Sequence, residues 1–309
     1  MLFLAILAGL IIAFSIGSNN SSNALGICIG AGVIPFKKGI IIFGVFVFAG
    51  IFFSGAKVMH TVGKSLTQLN PELVSLSLLL SALIILLSNW KHLPLSTHQV
   101  IIGSLTGCAF AKGYFVNVKY LFYILISWIT APIVAGILSM ILYEFISKSF
   151  KKLPFFSTEV LVRIFLLLSA TLISYNTGAN ELATVLGPIM TPKIYSYHYI
   201  IFLLASVSLF LGAVTLSSRV LDTIGKGIVP LDPISGFVAQ LSAGVCLLGF
   251  THIGMPVSTT HSLIGAISGI GFSKGFHTIK TKMLKKIGLN WIFTTIAAFL
   301  ISFFIAKFF

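Results

Sequence analysis

Residues 17–26 read GSNNSSNALG, and residues 178–187 read GANELATVLG. The first stretch follows sixteen almost wholly apolar residues, so its carboxamides and hydroxyls fall where a membrane helix would still lie inside the bilayer. Polar groups at that depth are costly unless they find partners or perform a task. The pattern returns 161 positions later, again behind an apolar run, which marks it as half of something built twice.

Two further matches extend the repeat. KVMHTVGK at 57–64 aligns with RVLDTIGK at 219–226, and PLSTHQ at 94–99, with Gly103, aligns with PVSTTH at 256–261, with Gly265. Both stand at an offset of 162, so three motifs recur in order with one single-residue shift. They divide the chain into a first repeat, 1–146, a basic linker, 147–157, and a second repeat, 158–309.

The 309 residues are 57 % hydrophobic and only 8 % charged, with a mean hydropathy of +1.07, which is the composition of a polytopic membrane protein. Apolar runs near 2–17, 39–56, 73–90, 119–143, 160–176, 198–217, 234–251 and 288–308 are candidates to cross about 30 Å of hydrocarbon. Two weaker runs, rich in Gly, Ser and Thr, lie at 94–111 and 256–273. None alternates with the period of two that marks a β-barrel, so the runs are predicted helices. The first has no basic leader region and no A-x-A site after it, and is read as part of the mature fold. The net charge of +14 sits mostly in the short connections, where it signals topology and attraction to anionic lipid head groups rather than nucleic-acid binding. Cys28, Cys108 and Cys246 lie in apolar surroundings with no paired spacing, which suits packing better than a disulfide framework or a metal site.

Each half holds about five apolar segments, and an odd number of crossings places the halves in opposite orientations. Lys148, Lys151 and Lys152 in the linker, and Lys274, Lys280, Lys282, Lys285 and Lys286 in loop 274–286, outweigh Lys112 and Lys119 in the equivalent loop 112–119. The positive-inside rule then puts the richer loops in the cytoplasm and both termini outside. The predicted fold is an all-α polytopic membrane protein of two inverted-topology repeats, with broken or re-entrant helices near the midplane. That arrangement recurs in secondary transporters, whose sites lie between the repeats. The interruptions are expected at the repeated motifs themselves.

The chemistry of the motifs follows from their residue types. Pro94 and Pro256 are predicted in the first turn of a helix, where a missing N–H is no loss. Ser96, Thr97, Ser258, Thr259 and Thr260 then supply hydroxyls beside free N–H groups and the positive end of a helix dipole, an oxyanion site without a basic side chain. On a helix, Asn19 and Asn23 share a face, as do Asn180 and Thr184. Their oxygens, with nearby backbone carbonyls and the carboxylate of Glu181, are the hard ligands that Na⁺ takes, the candidate set being Asn19, Asn23, Asn180 and Glu181. The competing reading is close helix packing with interhelical amide bonds. His98 and His261 stand beside the anion motif as tuning residues or as hydrogen-bonded packing histidines. Lys57 and Arg219 are read as interfacial anchors, Asp222 and Asp232 as turn or helix-start residues, and Glu72, Glu144 and Glu159 as solvated segment ends. No G-x-S-x-G, H-E-x-x-H, Cys/His cluster or Walker A loop is present, so neither an enzyme nor a nucleotide-driven pump is expected.

At these residues the sequence resembles the inorganic phosphate transporter (PiT) family, whose signature is a duplicated G-A-N-D-x-A-N with a duplicated P-x-S-T-T-[HQ]. The stretch LDPISGFVAQLSAG at 231–244 is also close to the family pattern. The resemblance implies symport of inorganic phosphate with Na⁺ or H⁺ by alternating access in the plasma membrane, without a cofactor, and a homodimer. By position it implies that Ser96, Thr97, Ser258, Thr259 and Thr260 hold the anion. Asn19, Asn20, Asn23, Asn180, Glu181 and Thr184 would form the cation sites and contact the substrate. The chain departs from the pattern in having Asn20 and Glu181 at the two Asp positions, Thr184 at the last Asn, His98 in the first S-T-T and Val47 at a membrane glutamate. A less acidic site keeps sulfate open as the substrate, and an anion channel using the same helix ends is the reading from another class.

Overall fold

Leu-, Ile-, Phe- and Val-rich runs in hydrocarbon have no water to satisfy their peptide groups, so they satisfy them internally by coiling. The computed structural model describes residues 1–90, 95–150, 154–190, 196–216, 232–275 and 281–309, and nearly all of them are helical. Helix α1 spans Leu2–Gly30, α2 Phe36–Ser54 and α3 Ala56–His60, the last continuing into a π-helical turn at Thr61–Leu66. After these come α4 (Pro71–Trp90), α5 (Thr97–Ala111) and α6 (Val118–Phe150). Helix α7 (Phe155–Asn176) passes through a π-helical segment, Thr177–Leu182, into α8 (Ala183–Leu186) and a 3₁₀ turn, Gly187–Ile189. The chain ends with α9 (His198–Leu216), α10 (Pro233–His252), α11 (Thr259–Lys274) and α12 (Thr281–Phe308). Asp232 starts α10 by accepting from Ser235 N at 3.0 Å, the helix-start role read from DPISG.

Among the described residues, eight helices are long and apolar enough to cross a membrane. Helices α5 and α11, with 15 and 16 residues, are not among them. At 1.5 Å per residue they reach about 23 Å, short of a bilayer core of about 30 Å. Each returns to the side from which its hairpin set out. Asn117 N donates to Leu66 O at 2.8 Å and Thr67 pairs with Val116, which joins the approach to α4 to the end of α5. In the second half, Lys274 at the end of α11 holds Asp232 at the start of α10, at 2.5 Å. Both short helices therefore begin inside the protein, behind the buried residues Ser96 and Ser258.

The halves interleave rather than stand side by side. Helix α1 packs on α9 and α2 on α7, while α5 runs along α12 and α11 along α6. The crossings repeat in detail. A Cβ on Gly17 would collide with Leu209 O, and one on Gly178 with Val47 O. Gly50 meets Tyr175 O in the same way that Gly212 meets Phe14 O. Gly17 and Gly178, Leu209 and Val47, Gly50 and Gly212, and Phe14 and Tyr175 are all repeat mates at 161 or 162. Only a residue without a side chain lets two backbones come so close, so the glycines of the motifs set helix separation.

Two expectations are corrected. Helix α1 runs unbroken through 17–23, because its peptide groups bond within the helix while its amide side chains reach outward. Elsewhere the interruptions do fall at repeated motifs: the breaks between α4 and α5 and between α10 and α11 come at the Ser96 and Ser258 motifs, and the second amide motif falls on the π-helical turn Thr177–Leu182. Pro256 also stands before α11 rather than in its first turn; the helix begins at Ser258, and the proline carbonyl accepts from Trp128 Nε1 at 2.8 Å. Pro94, Lys151, Lys152, Arg219, Asp222 and Lys280 lie outside the described residues.

Candidate functional site

The second motif sits in the π-helical segment 177–182, where the wider turn lets consecutive polar side chains face the hairpins. All six of its residues are buried. Asn180 is the hub. Its Oδ1 accepts from Val257 N at 3.0 Å and lies 3.0 Å from His98 Nε2. Its Nδ2 donates to Thr251 Oγ1 at 2.8 Å and to Met255 O at 3.0 Å. The Val257 amide and the Met255 carbonyl fix which end of the carboxamide is oxygen, so His98 must carry its proton on Nε2 to donate. One oxygen thus ties the residues before α11 to the first turn of α5, and the starts of the two short helices meet.

Beside it, Asn20 and Glu181 face each other. They are repeat mates, 161 apart, and Asn20 Nδ2 donates to Glu181 Oε2. A bond between equivalent positions places that pair where the two halves converge. The other carboxylate oxygen, Oε1, accepts from Thr259 N, the first-turn amide of α11, at 3.1 Å. Asn23 Nδ2 reaches Thr260 Oγ1 at 2.9 Å and Asn20 Oδ1 at 3.3 Å. Gln240 supports α1 by donating to Ala24 O at 2.8 Å and Asn23 O at 3.3 Å.

The geometry gathers most of the sequence-predicted residues into this one region. Asn20, Asn23, Asn180, Glu181, His98, Thr259 and Thr260 are joined by the bonds above. Asn19 turns aside to Asn89 Oδ1 at 2.8 Å. Thr184 donates back to Asn180 O at 2.8 Å, a bond within its own helix. His261 stacks on Trp291 with ring centroids 3.5 Å apart, and neither of its nitrogens has a partner among the described residues. Lys57 is exposed and caps the end of α10 through His252 O at 2.8 Å.

Several buried oxygens at the helix starts also lack a partner among the described residues: Ser96 Oγ, Gln99 Oε1, Thr259 Oγ1 and Ser262 Oγ. Native interiors rarely leave such atoms unpaired, and these four stand where two dipoles present their positive ends, while others such as Ser104, Ser206, Ser242 and Ser302 lie elsewhere along the helices. Among the described residues the arrangement is a set of hydroxyl and amide donors without a cationic side chain, faced by carboxamides and one carboxylate. It can cradle a small oxyanion at the donors and a hard cation at the oxygens. Asn180 is already fully engaged, with two bonds at its oxygen and two at its nitrogen, so its work in this arrangement is to order the two helix starts.

Sequence reasoning missed Asn89, Thr251 and Gln240. The repeat itself carried a signal for the first two. They are 162 apart, and the bonds Asn19–Asn89 and Asn180–Thr251 are copies of each other. Gln240 lies in the LDPISGFVAQ stretch, but nothing in its spacing pointed to α1.

Fold and site together define an all-helical, polytopic integral membrane protein. The profile of the phosphate transporter family matches residues 16–302, and the chain belongs to that family. A protein of Methanocaldococcus jannaschii, provisionally named a phosphate permease, is 35 % identical over 294 residues, covering 95 % of this chain and 93 % of its own. A protein of Pyrococcus abyssi with the same provisional name is 26 % identical, covering 99 % of this chain and 97 % of its own. Among solved structures, the sodium-dependent phosphate transporter shares the fold with a TM-score of 0.84 and 23 % identity, covering 99 % of both chains.

Proposed function

We propose that the chain is a secondary active symporter that carries inorganic phosphate across the plasma membrane with Na⁺ or H⁺, by alternating access between inverted repeats. One observation carries this reading: the starts of α5 and α11 converge on Asn180 Oδ1, with buried hydroxyls at Ser96 and Thr259 that have no partner among the described residues. Helix ends of this kind bind oxyanions through N–H and O–H donors alone. Ser96, Thr97, Ser258, Thr259 and Thr260 hold the anion. Asn20, Asn23 and Glu181 face the coupling cation, and Asn19, now bonded to Asn89, and Asn180 join them only by giving up present bonds. The repeats 1–146 and 158–309 rock about their interleaved contacts, with the linker in the cytoplasm and both termini outside.

Uptake of labelled phosphate into proteoliposomes tests the substrate. Uptake blocked by excess arsenate and left in place by excess sulfate supports phosphate. Displacement by sulfate alone makes the chain a sulfate permease of the same plan. Phosphate flux that ignores both Na⁺ and pH gradients makes it a channel.

A further inference from the structure

Glu181 is buried, and among the described residues no Lys, Arg or His side chain forms an ion pair with it. Its carboxylate is held by neutral donors, the Asn20 amide and the Thr259 N–H. The second of these belongs to the first turn of a 16-residue helix, where the dipole is most positive. The chain's own anion is therefore sitting on the anion-binding end of α11. The equivalent place in the first half is different: Asn20 is neutral, Ser96 starts α5 without a side-chain cap bond, and its buried hydroxyl has no partner among the described residues.

Resting on the reading of this region as an anion site, we infer that Glu181 is a tethered competitor of the substrate. Its carboxylate holds the α11 amide until Na⁺ draws it away. Two anions cannot share one helix start in a low-dielectric interior without strong repulsion. The substrate accordingly docks first on α5, with the hydroxyl of Ser96, and engages α11 only after Glu181 has swung toward the cation. Cation and anion binding are then linked through one side chain. Neither ligand has to touch the other, and the neutral Asn20 leaves the first half unobstructed.

Binding of labelled inorganic phosphate to purified protein tests this, with wild type compared with Glu181→Gln and Glu181→Ala in choline chloride and in NaCl. In choline, both variants should bind phosphate at least about tenfold more tightly than wild type, since a charge-assisted bond no longer has to be displaced. In NaCl, wild type should gain affinity and close the gap, while the variants should show no Na⁺ response. Melting profiles of all three proteins establish that they are folded, and the alanine variant serves if the glutamine variant is not. Variants that bind no more tightly than wild type in choline would overturn the inference, as would a gap that Na⁺ leaves unchanged. If wild type and variants all fail to bind phosphate or sulfate in either salt, the anion reading itself falls and the inference with it.

Discussion

The starts of α5 and α11 are two copies of one design, 162 residues apart, and they differ chiefly in charge. Each is a short helix entering the interior behind a serine, and each carries glycines pressed against a long helix of the other half, Gly103 and Gly107 on α12 and Gly265 and Gly269 on α6. Each has its nearby motif amide bonded to the hairpin, Asn19 to Asn89 and Asn180 to Thr251. At the point of convergence, however, one copy offers the carboxamide of Asn20 and the other the carboxylate of Glu181. Symmetric packing builds the frame, and the asymmetric pair gives its two ends different work.

The comparison breaks most visibly at the glycines. Gly17→Ala and Gly178→Ala each put a methyl group into a facing backbone. Each should cost about 3 kcal/mol or more, read as a lowered melting midpoint and loss of the monodisperse peak. The two costs should be similar, because their surroundings are repeat mates. A variant tolerated on one side only would show that the frame is not symmetric.

The amides should separate the copies next. Asn180→Ala removes four hydrogen bonds and should cost about 3 kcal/mol and most of the transport rate, whereas Asn19→Ala removes one identified bond and should cost about 1 kcal/mol. Unfolding and uptake of the two variants side by side check this.

Smaller still are the hydroxyl effects. Ser96→Ala and Thr259→Val remove buried oxygens with no partner among the described residues, so melting should move little or rise by up to about 1 kcal/mol. Anion affinity should nevertheless fall, and without Na⁺ it should fall more for Ser96→Ala, because Glu181 already holds the α11 end.

The smallest effect belongs to the clasp at the base of the second hairpin. Burial pushes the Asp232 carboxyl up, but the hydrogen bonds and charge of Lys274 and the bonds from Ser235 outweigh it and hold it below the ordinary value of 3.8. A depressed value stabilises the fold above the ordinary carboxylate range, and that contribution is lost as acid protonates the group. Since Asp232 is half-exposed, Asp232→Asn should cost less than about 1 kcal/mol at pH 7. The difference should shrink and then vanish as the pH falls below the ordinary carboxylate range in paired melting curves.

Much of this frame was legible in the sequence, since duplication, apolar length and small-residue motifs fix what can pack in a bilayer. The predicted segments match the helices to within about five residues, except that α1 runs on through its polar motif to Gly30, α6 runs past 143 to Phe150 and α12 starts before 288 at Thr281. The identities of most candidate residues were legible too, because carboxamides and hydroxyls at membrane depth need a reason. Their partners were not. That Asn20 meets Glu181 depends on where two repeats converge, which neither motif encodes alone. The π-helical turn at 177–182 leaves no mark in periodicity. Pro256 misled because proline suits a first helical turn equally well as an extended approach to a helix.

The most direct test of coupled transport is accumulation of labelled phosphate inside proteoliposomes that already contain more phosphate than the medium. Under an inward Na⁺ or H⁺ gradient, label should build up against the phosphate gradient and be released when that cation gradient is collapsed. Flux that only ever runs down the phosphate gradient, whichever cation is imposed, would contradict the account.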